Sequence, residues 1–391
     1  MKIIIQKFGG TSVATEQSRL CVIAKILNAI KSDFTPIVVV SAMGRLGSPY
    51  ATDTLLNFVE EAAGKMTLHE TDMLLSCGEL ISAVTIATML NNQGIQSQAF
   101  TGGQAGIITD NNHTEAELLR TKPKKLLEAL DNGIIPIVAG FQGITINGEI
   151  TTLGRGGSDT SASIIGVSVQ AERIEIYTDV DGIMTADPRV CSRVHKVNKL
   201  SYNEVFQMAD SGAKVIHPRA VEYAMRSDIP LIIKNTFSDD EGSAIMRSTF
   251  NFIHKMVTAI VHRLDRVQYS LEHSSVRLLA AIANKNISID LINIFPNRIL
   301  FTIDSKNQIK LEELLKEENC QFSKIDNCAK VTVVGESITG VPGIMARIAT
   351  TLAKQDIRIL QTADSLTTIS CLIKEEELPR AINSLHEEFD L

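Results

Sequence analysis

Met1-Lys2-Ile3-Ile4-Ile5-Gln6-Lys7-Phe8-Gly9-Gly10-Thr11-Ser12 opens the chain, and the fold turns on how it is read. A β-branched apolar run reads as a strand, the paired glycines as a tight turn, and the amphipathic stretch Gln17–Lys31 as a helix. Only three isoleucines run together, far short of the apolar core of a secretory signal. The opening is therefore a strand–turn–helix unit of an α/β fold. Further strands are expected at Pro36–Ser41, Ile134–Ala139, Arg173–Thr178 and Pro230–Asn235, and helices at Thr71–Gln93, Thr160–Val169 and Arg219–Ser227. Near-continuous apolar strands separated by helices imply a sheet buried on both faces.

Composition agrees with this reading. A chain of 391 residues with 44% hydrophobic and 21% charged residues is globular and long enough for more than one core. The formal charge, 38 minus 45, is −7, which speaks against nucleic-acid binding. No uninterrupted apolar run reaches the ~18 to 20 residues of a membrane span. Six cysteines without CxxC spacing suit reduced thiols of a cytoplasmic protein, and the eight histidines form no paired-ligand motif, so no metal site is expected.

Residues 237–255, with Ser238-Asp-Asp-Glu-Gly-Ser243 near their start, lose periodicity and read as a linker after an α/β domain at 1–236. A weak repeat follows. Ala283-Asn-Lys-Asn-Ile287-Ser-Ile289 resembles Ala353-Lys-Gln-Asp-Ile357-Arg-Ile359, an offset of 353 − 283 = 70. A helical pattern follows each copy, so two ferredoxin-like βαββαβ modules are expected, at 256–327 and 328–391.

Several segments suit anion chemistry. Lys7 with Gly9 and Gly10 combines a cation, bare amides and a helix start, although a capped Gly-Gly turn has the same composition. There is no GxxxxGK[ST] or GxGxxG, so any phosphate cradle belongs to another architecture. Ser41 ends an apolar strand, where a hydroxyl meets a phosphate or simply turns the chain. Leu153-Gly-Arg-Gly-Gly-Ser-Asp-Thr160 sets Arg155 among three glycines, with Ser158 or Asp159 able to cap the next helix. Thr178-Asp-Val-Asp-Gly-Ile-Met-Thr-Ala-Asp-Pro-Arg189 is not an EF-hand: Met184 stands where the turn glycine belongs. It suits a nucleotide contact better. Gly212-Ala-Lys-Val-Ile-His-Pro-Arg-Ala220 is either a charged loop entering a helix or part of a site. Glu79 lies in an apolar helical stretch and needs a partner, for which a ligand ammonium is one candidate. Together these groups suit phosphoryl transfer, which needs positioning and charge neutralisation more than a general base.

KFGGTS, SAMG, CGE, GFQG at Gly140–Gly143, LGRGGSDT, TDVDGIMTADPR and GAKVIHPRA resemble, in order and spacing, the aspartate kinases of the amino-acid-kinase fold. Ile359–Ser365 and Gly47–Asp53 are most similar to the diaminopimelate-responsive enzymes of spore-forming Gram-positive bacteria. The resemblance implies a three-layer αβα sandwich followed by two ACT modules, with a homodimer formed through those modules. It implies ATP-dependent phosphorylation of the side-chain carboxylate of L-aspartate, with Mg²⁺ held mainly by the phosphates. Lys7, Phe8, Gly9, Gly10, Ser41, Thr178, Asp179, Met184, Arg189 and Lys214 are thereby assigned to ATP. Thr52, Glu79, Arg155, Ser158 and Asp159 are assigned to aspartate, with Lys7, Arg155 and Asp159 catalytic. The loop Gly340-Val-Pro342-Gly343-Ile344 resembles an ACT effector site for lysine, threonine or diaminopimelate. In the first module Gln268–Ser274 replaces that loop and is shortened. Glutamate 5-kinases and uridylate kinases share the fold, but the paired modules and GRGGSD speak against both.

Overall fold

The computed structural model describes all residues except 214, 248–255, 273–275, 337, 339 and 340. It divides into two compact units. The first takes the described residues within 1–183, 196–206 and 214–250, and the second those within 184–195, 207–213 and 251–391.

The first unit is built on an eight-stranded sheet. Its order is Lys199–Ser201, Ser243–Met246, Leu231–Asn235, Arg173–Thr178, Ile3–Phe8, Thr35–Val40, Ile135–Ala139 and Ser97–Phe100. The six strands from Leu231–Asn235 to Ser97–Phe100 run parallel, with Lys7 beside Val39 on one side and Ile176 on the other. The expected strands and helices are all present, displaced by at most three residues at their ends. Ile3–Phe8 is buried along its whole length, as a strand covered on both faces must be.

Alternation along that strand sorts its residues. Phe8 faces the helices Glu16–Lys31 and Leu68–Asn91, packing with Val22, Ile26, Ile86 and Leu90. Ile5 and Lys7 point the other way, towards the helix Gly157–Ser168, where Gly166 sits close to Ile5. Helices on both faces make the three-layer αβα sandwich. A second sheet of four short strands, Leu118–Thr121, Ile107–Thr109, Gln142–Ile144 and Ile150–Thr152, also belongs to this unit.

Leu68–Asn91 is not an uninterrupted apolar run, since Glu79 falls within it. The helix is 24 residues long and contains an 18-residue window of mean hydropathy 1.7, enough to span a bilayer by length and composition. Half of that stretch is buried, and Thr67 caps its start by accepting from the Glu70 amide, so it is a core helix of this unit. Residues 237–255 are not wholly a linker. Ser243–Met246 pairs antiparallel with Leu231–Asn235, with Ser243 and Ile245 turned inward. Residues 248–255 lie outside the described residues.

The second unit carries a six-stranded antiparallel sheet, ordered Ile292–Phe295, Arg298–Asp304, Ala259–Glu272, Phe322–Val334, Thr368–Lys374 and Gln361–Asp364. The repeat is visible in its geometry. Asn286 and Asp356, offset by 356 − 286 = 70, both adopt left-handed backbone just after a helix, with φ of 51° and 55°. The modules do not follow one another as 256–327 and 328–391, however. Ala259–Arg263 pairs with Lys330–Val334, and Val257 and Ile260 join the core of the later module with Ile348, Leu352 and Leu385. Past an irregularity at Arg263–Gln268, the same strand enters the other core through Val267, Tyr269 and Leu271. The first module is thus inserted into the second. The expected catalytic stretch 1–236 is interrupted as well, since Ala186 and Cys191 pack into the core of the later module. All six cysteines are free thiols.

Candidate active site

Parallel strands of one sheet end on one edge, and the loops leaving Phe8, Val40, Ala139 and Thr178 meet there. Backbone bonds knit them: the Ser41 amide donates to Phe8 O, Gly44 to Gly10 O, Gly140 to Val40 O and Gly9 to Tyr177 O, each at 3.0 to 3.1 Å. A Cβ on Gly10 would stand 2.8 Å from Ala42 O and 2.7 Å from Gly44 O, so only glycine lets these two loops close. Gly10→Ala is expected to destabilise the fold by ~1 to 3 kcal/mol and to cut turnover at least tenfold, read by thermal melting and initial rates.

The decisive contact joins two segments 159 − 7 = 152 positions apart. Lys7 Nζ lies 2.6 Å from Asp159 Oδ1, with both side chains largely buried. The first strand and the triple-glycine loop therefore share one site. His217 lies against Gly156, which takes a left-handed φ of 66° as N-cap of the helix carrying Ser158 and Asp159. Burial holds the His217 imidazole below its usual range, so it packs there uncharged at neutral pH. Arg219 donates to Leu153 O and Ala116 O, at 2.9 and 3.3 Å. The His217-Pro218-Arg219 segment, left open above, supports the glycine loop. Arg155 at its apex is exposed, and among the described residues it has no hydrogen-bond or ion-pair partner.

Glu79 sits at the other side of the Ser41 loop. It is buried, and one oxygen accepts the Ala42 amide at 3.2 Å while the other has no partner among the described residues. Burial pushes its carboxyl up to about 7, although the Ala42 amide pulls it down. The sign of the stability effect follows. A raised folded-state pKa contributes stability fully present below 4.5 and lost as pH rises through 7. Glu79→Gln is expected to match the parent near pH 4.5 and to exceed it at pH 8 by up to roughly 3 kcal/mol, measured by denaturant melts.

The remaining expected residues divide. Ser158 lies against Gly140, and Thr52 opens the helix Thr52–Ala63 two residues after Tyr50, whose carbonyl abuts Gly78. Thr178 ends its strand, and Asp179 pairs with Arg45 at 2.9 Å. Nothing in the sequence singled out Arg45. Met184 and Arg189 belong to the second unit, where Arg189 forks onto Asp187 at 3.0 and 2.6 Å. Lys214 and Gly340 lie outside the described residues. Pro342 and Gly343 precede the helix Ile344–Lys354, with Gly343 its left-handed N-cap and Ile344 buried.

Residues 2–235 match the amino acid kinase family, and residues 323–387 match an ACT domain. Aspartokinase 1 of Bacillus subtilis is 42% identical over 402 residues, covering all of both chains. The chain belongs to the aspartokinases. The aspartokinase of Geobacillus stearothermophilus is 36% identical, covering all of this chain and 98% of its own. Among solved structures, E. coli aspartokinase III in complex with aspartate and ADP superposes with a TM-score of 0.84 at 25% identity, covering 100% of each chain. The same enzyme with lysine and aspartate gives 0.77 at 26% identity, again over 100% of each.

Proposed function

We propose that this aspartokinase-family enzyme transfers the γ-phosphoryl of ATP to the side-chain carboxylate of L-aspartate, forming 4-phospho-L-aspartate. The observation that carries the reading is the Lys7–Asp159 pair, which brings a cationic strand end and a glycine loop to one edge of the sheet. Gly9, Gly10 and the Phe8 backbone face the phosphates, and Lys7 neutralises charge as the phosphoryl group moves. Ser41 contacts the phosphates or the reacting carboxylate. Arg155 clamps the α-carboxylate bidentately, Glu79 takes the ammonium, and Thr52, Ser158 and Asp159 complete the pocket. Thr178, Asp179, Met184, Arg189 and Lys214 are assigned to the nucleotide by the resemblance alone. The acceptor carboxylate is already ionised at neutral pH, so no general base is required.

Mg²⁺, held mainly by the phosphates, would offset their charge. Among the described residues no three His, Cys, Asp or Glu side chains gather as a cage. The product feeds biosynthesis of diaminopimelate, lysine, threonine and methionine in the cytoplasm. One of these amino acids, bound at the Pro342–Ile344 loop, gives feedback inhibition of an ACT-paired homodimer.

Hydroxamate trapping of the acyl phosphate from aspartate or glutamate, and ADP release with UMP as acceptor, each with lysine, threonine and diaminopimelate singly and in pairs, tests all of this. Product from glutamate or UMP but not aspartate sinks the substrate, and full activity under every effector sinks the feedback. Because Glu79 must be ionised to take the ammonium, KM for aspartate is expected to climb as pH falls below about 7.

A further inference from the structure

Asp72 and Glu79 lie two turns apart on one buried face of the helix Leu68–Asn91. Asp72 has no exposed surface, and its partners all come from the block that carries Arg155. The Thr152 hydroxyl donates to its Oδ1, the Thr114 amide reaches both oxygens at 3.1 Å, and His113 Nδ1 lies 2.8 Å from Oδ2. Thr152 ends its strand three residues before Arg155, and its carbonyl accepts the Ala116 amide at 2.9 Å. Thr114 is held in left-handed backbone, φ 71°, which a β-branched residue adopts only when its surroundings impose it. The Glu115 carboxylate then covers Gly154, and Arg219 bridges Leu153 and Ala116. Residues 113–116 and 152–155 thus form one laced block, and Asp72 fastens it to the helix that carries Glu79.

We propose that Asp72 is a positioning residue: by gripping Thr152 and Thr114 it sets the Arg155 loop against Glu79 and so governs affinity for the amino diacid. The inference rests on the proposed role of Arg155. Two groups that grip opposite charges of one small molecule must keep their spacing, and a displacement near 1 Å costs about 100-fold. Lys7 sits on Ile3–Phe8, a strand that Asp72 does not touch, so the nucleotide side is spared.

The test uses full-length Asp72→Ala, Asp72→Asn and Thr152→Val, with thermal melting as the folding control. Asp72→Ala is expected to raise KM for aspartate about 10- to 100-fold while KM for ATP stays within about threefold. Asp72→Asn keeps an acceptor for Thr152 and Thr114 and should recover to within about fivefold of the parent. Thr152→Val deletes one hydroxyl and should raise KM for aspartate about three- to tenfold, which keeps the test valid if Asp72→Ala does not fold. Combined with Arg155→Ala, the losses should be less than additive. A parental KM for aspartate in both Asp72→Ala and Thr152→Val, equal rises in both KM values, or full additivity with Arg155→Ala overturns the proposal. A parental KM in Arg155→Ala alone would instead overturn the assignment of Arg155 beneath it.

Discussion

Replacing Lys7 by alanine is expected to lower kcat by about three orders of magnitude while KM for aspartate moves less than about threefold. The lysine is buried beside Asp159, on the sheet face covered by the Gly157–Ser168 helix. On the proposed assignment, removing it would take a positive charge from the phosphate site and leave the Asp159 carboxylate without its cation. At an effective dielectric near 20, one charge at ~4 Å is worth roughly 4 kcal/mol, which corresponds to about a thousandfold in rate. Steady-state kinetics with both substrates varied measures it. Equal losses in kcat and in aspartate affinity would mean that the lysine serves the amino acid rather than the moving phosphoryl group.

Arg155→Ala is expected to raise KM for aspartate about 100-fold at little cost in stability. The side chain is exposed and binds no described group, so nothing in the fold depends on it. Arg155→Lys should recover less than about tenfold of that loss, because an ammonium cannot match the two-pronged grip of a guanidinium on a carboxylate. Initial rates against aspartate, with ATP saturating, decide the matter. An unchanged KM in the alanine variant would remove Arg155 from the substrate.

Much of the molecule could be read from the chain. Five of the six parallel strands announce themselves as β-branched runs, Ser97–Phe100 being the exception, and Arg173–Thr178 is found with both ends as expected. The motifs around Lys7, Ser41 and Gly154–Asp159 stand out because unusual glycine content beside a charge is a local property. The short strands Ile107–Thr109, Gln142–Ile144 and Ile150–Thr152 do not, since three residues carry no periodicity. Asp72 and His113 escape for a related reason: each is ordinary among its neighbours, and 41 positions separate them.

Sequence alone therefore determined the α/β class, the glycine-rich segments that carry a charge and the repeat, because each is written in the order and spacing of nearby residues. Tertiary structure alone decided that Lys7 meets Asp159, that Asp72 fastens the Arg155 loop, and that residues 184–195 pack with the later ACT module. Those facts depend on which distant surfaces bury one another. Strand pairing and the burial of Ala186, Cys191, Val257 and Ile260 in one core set them, and neither leaves a trace in local pattern.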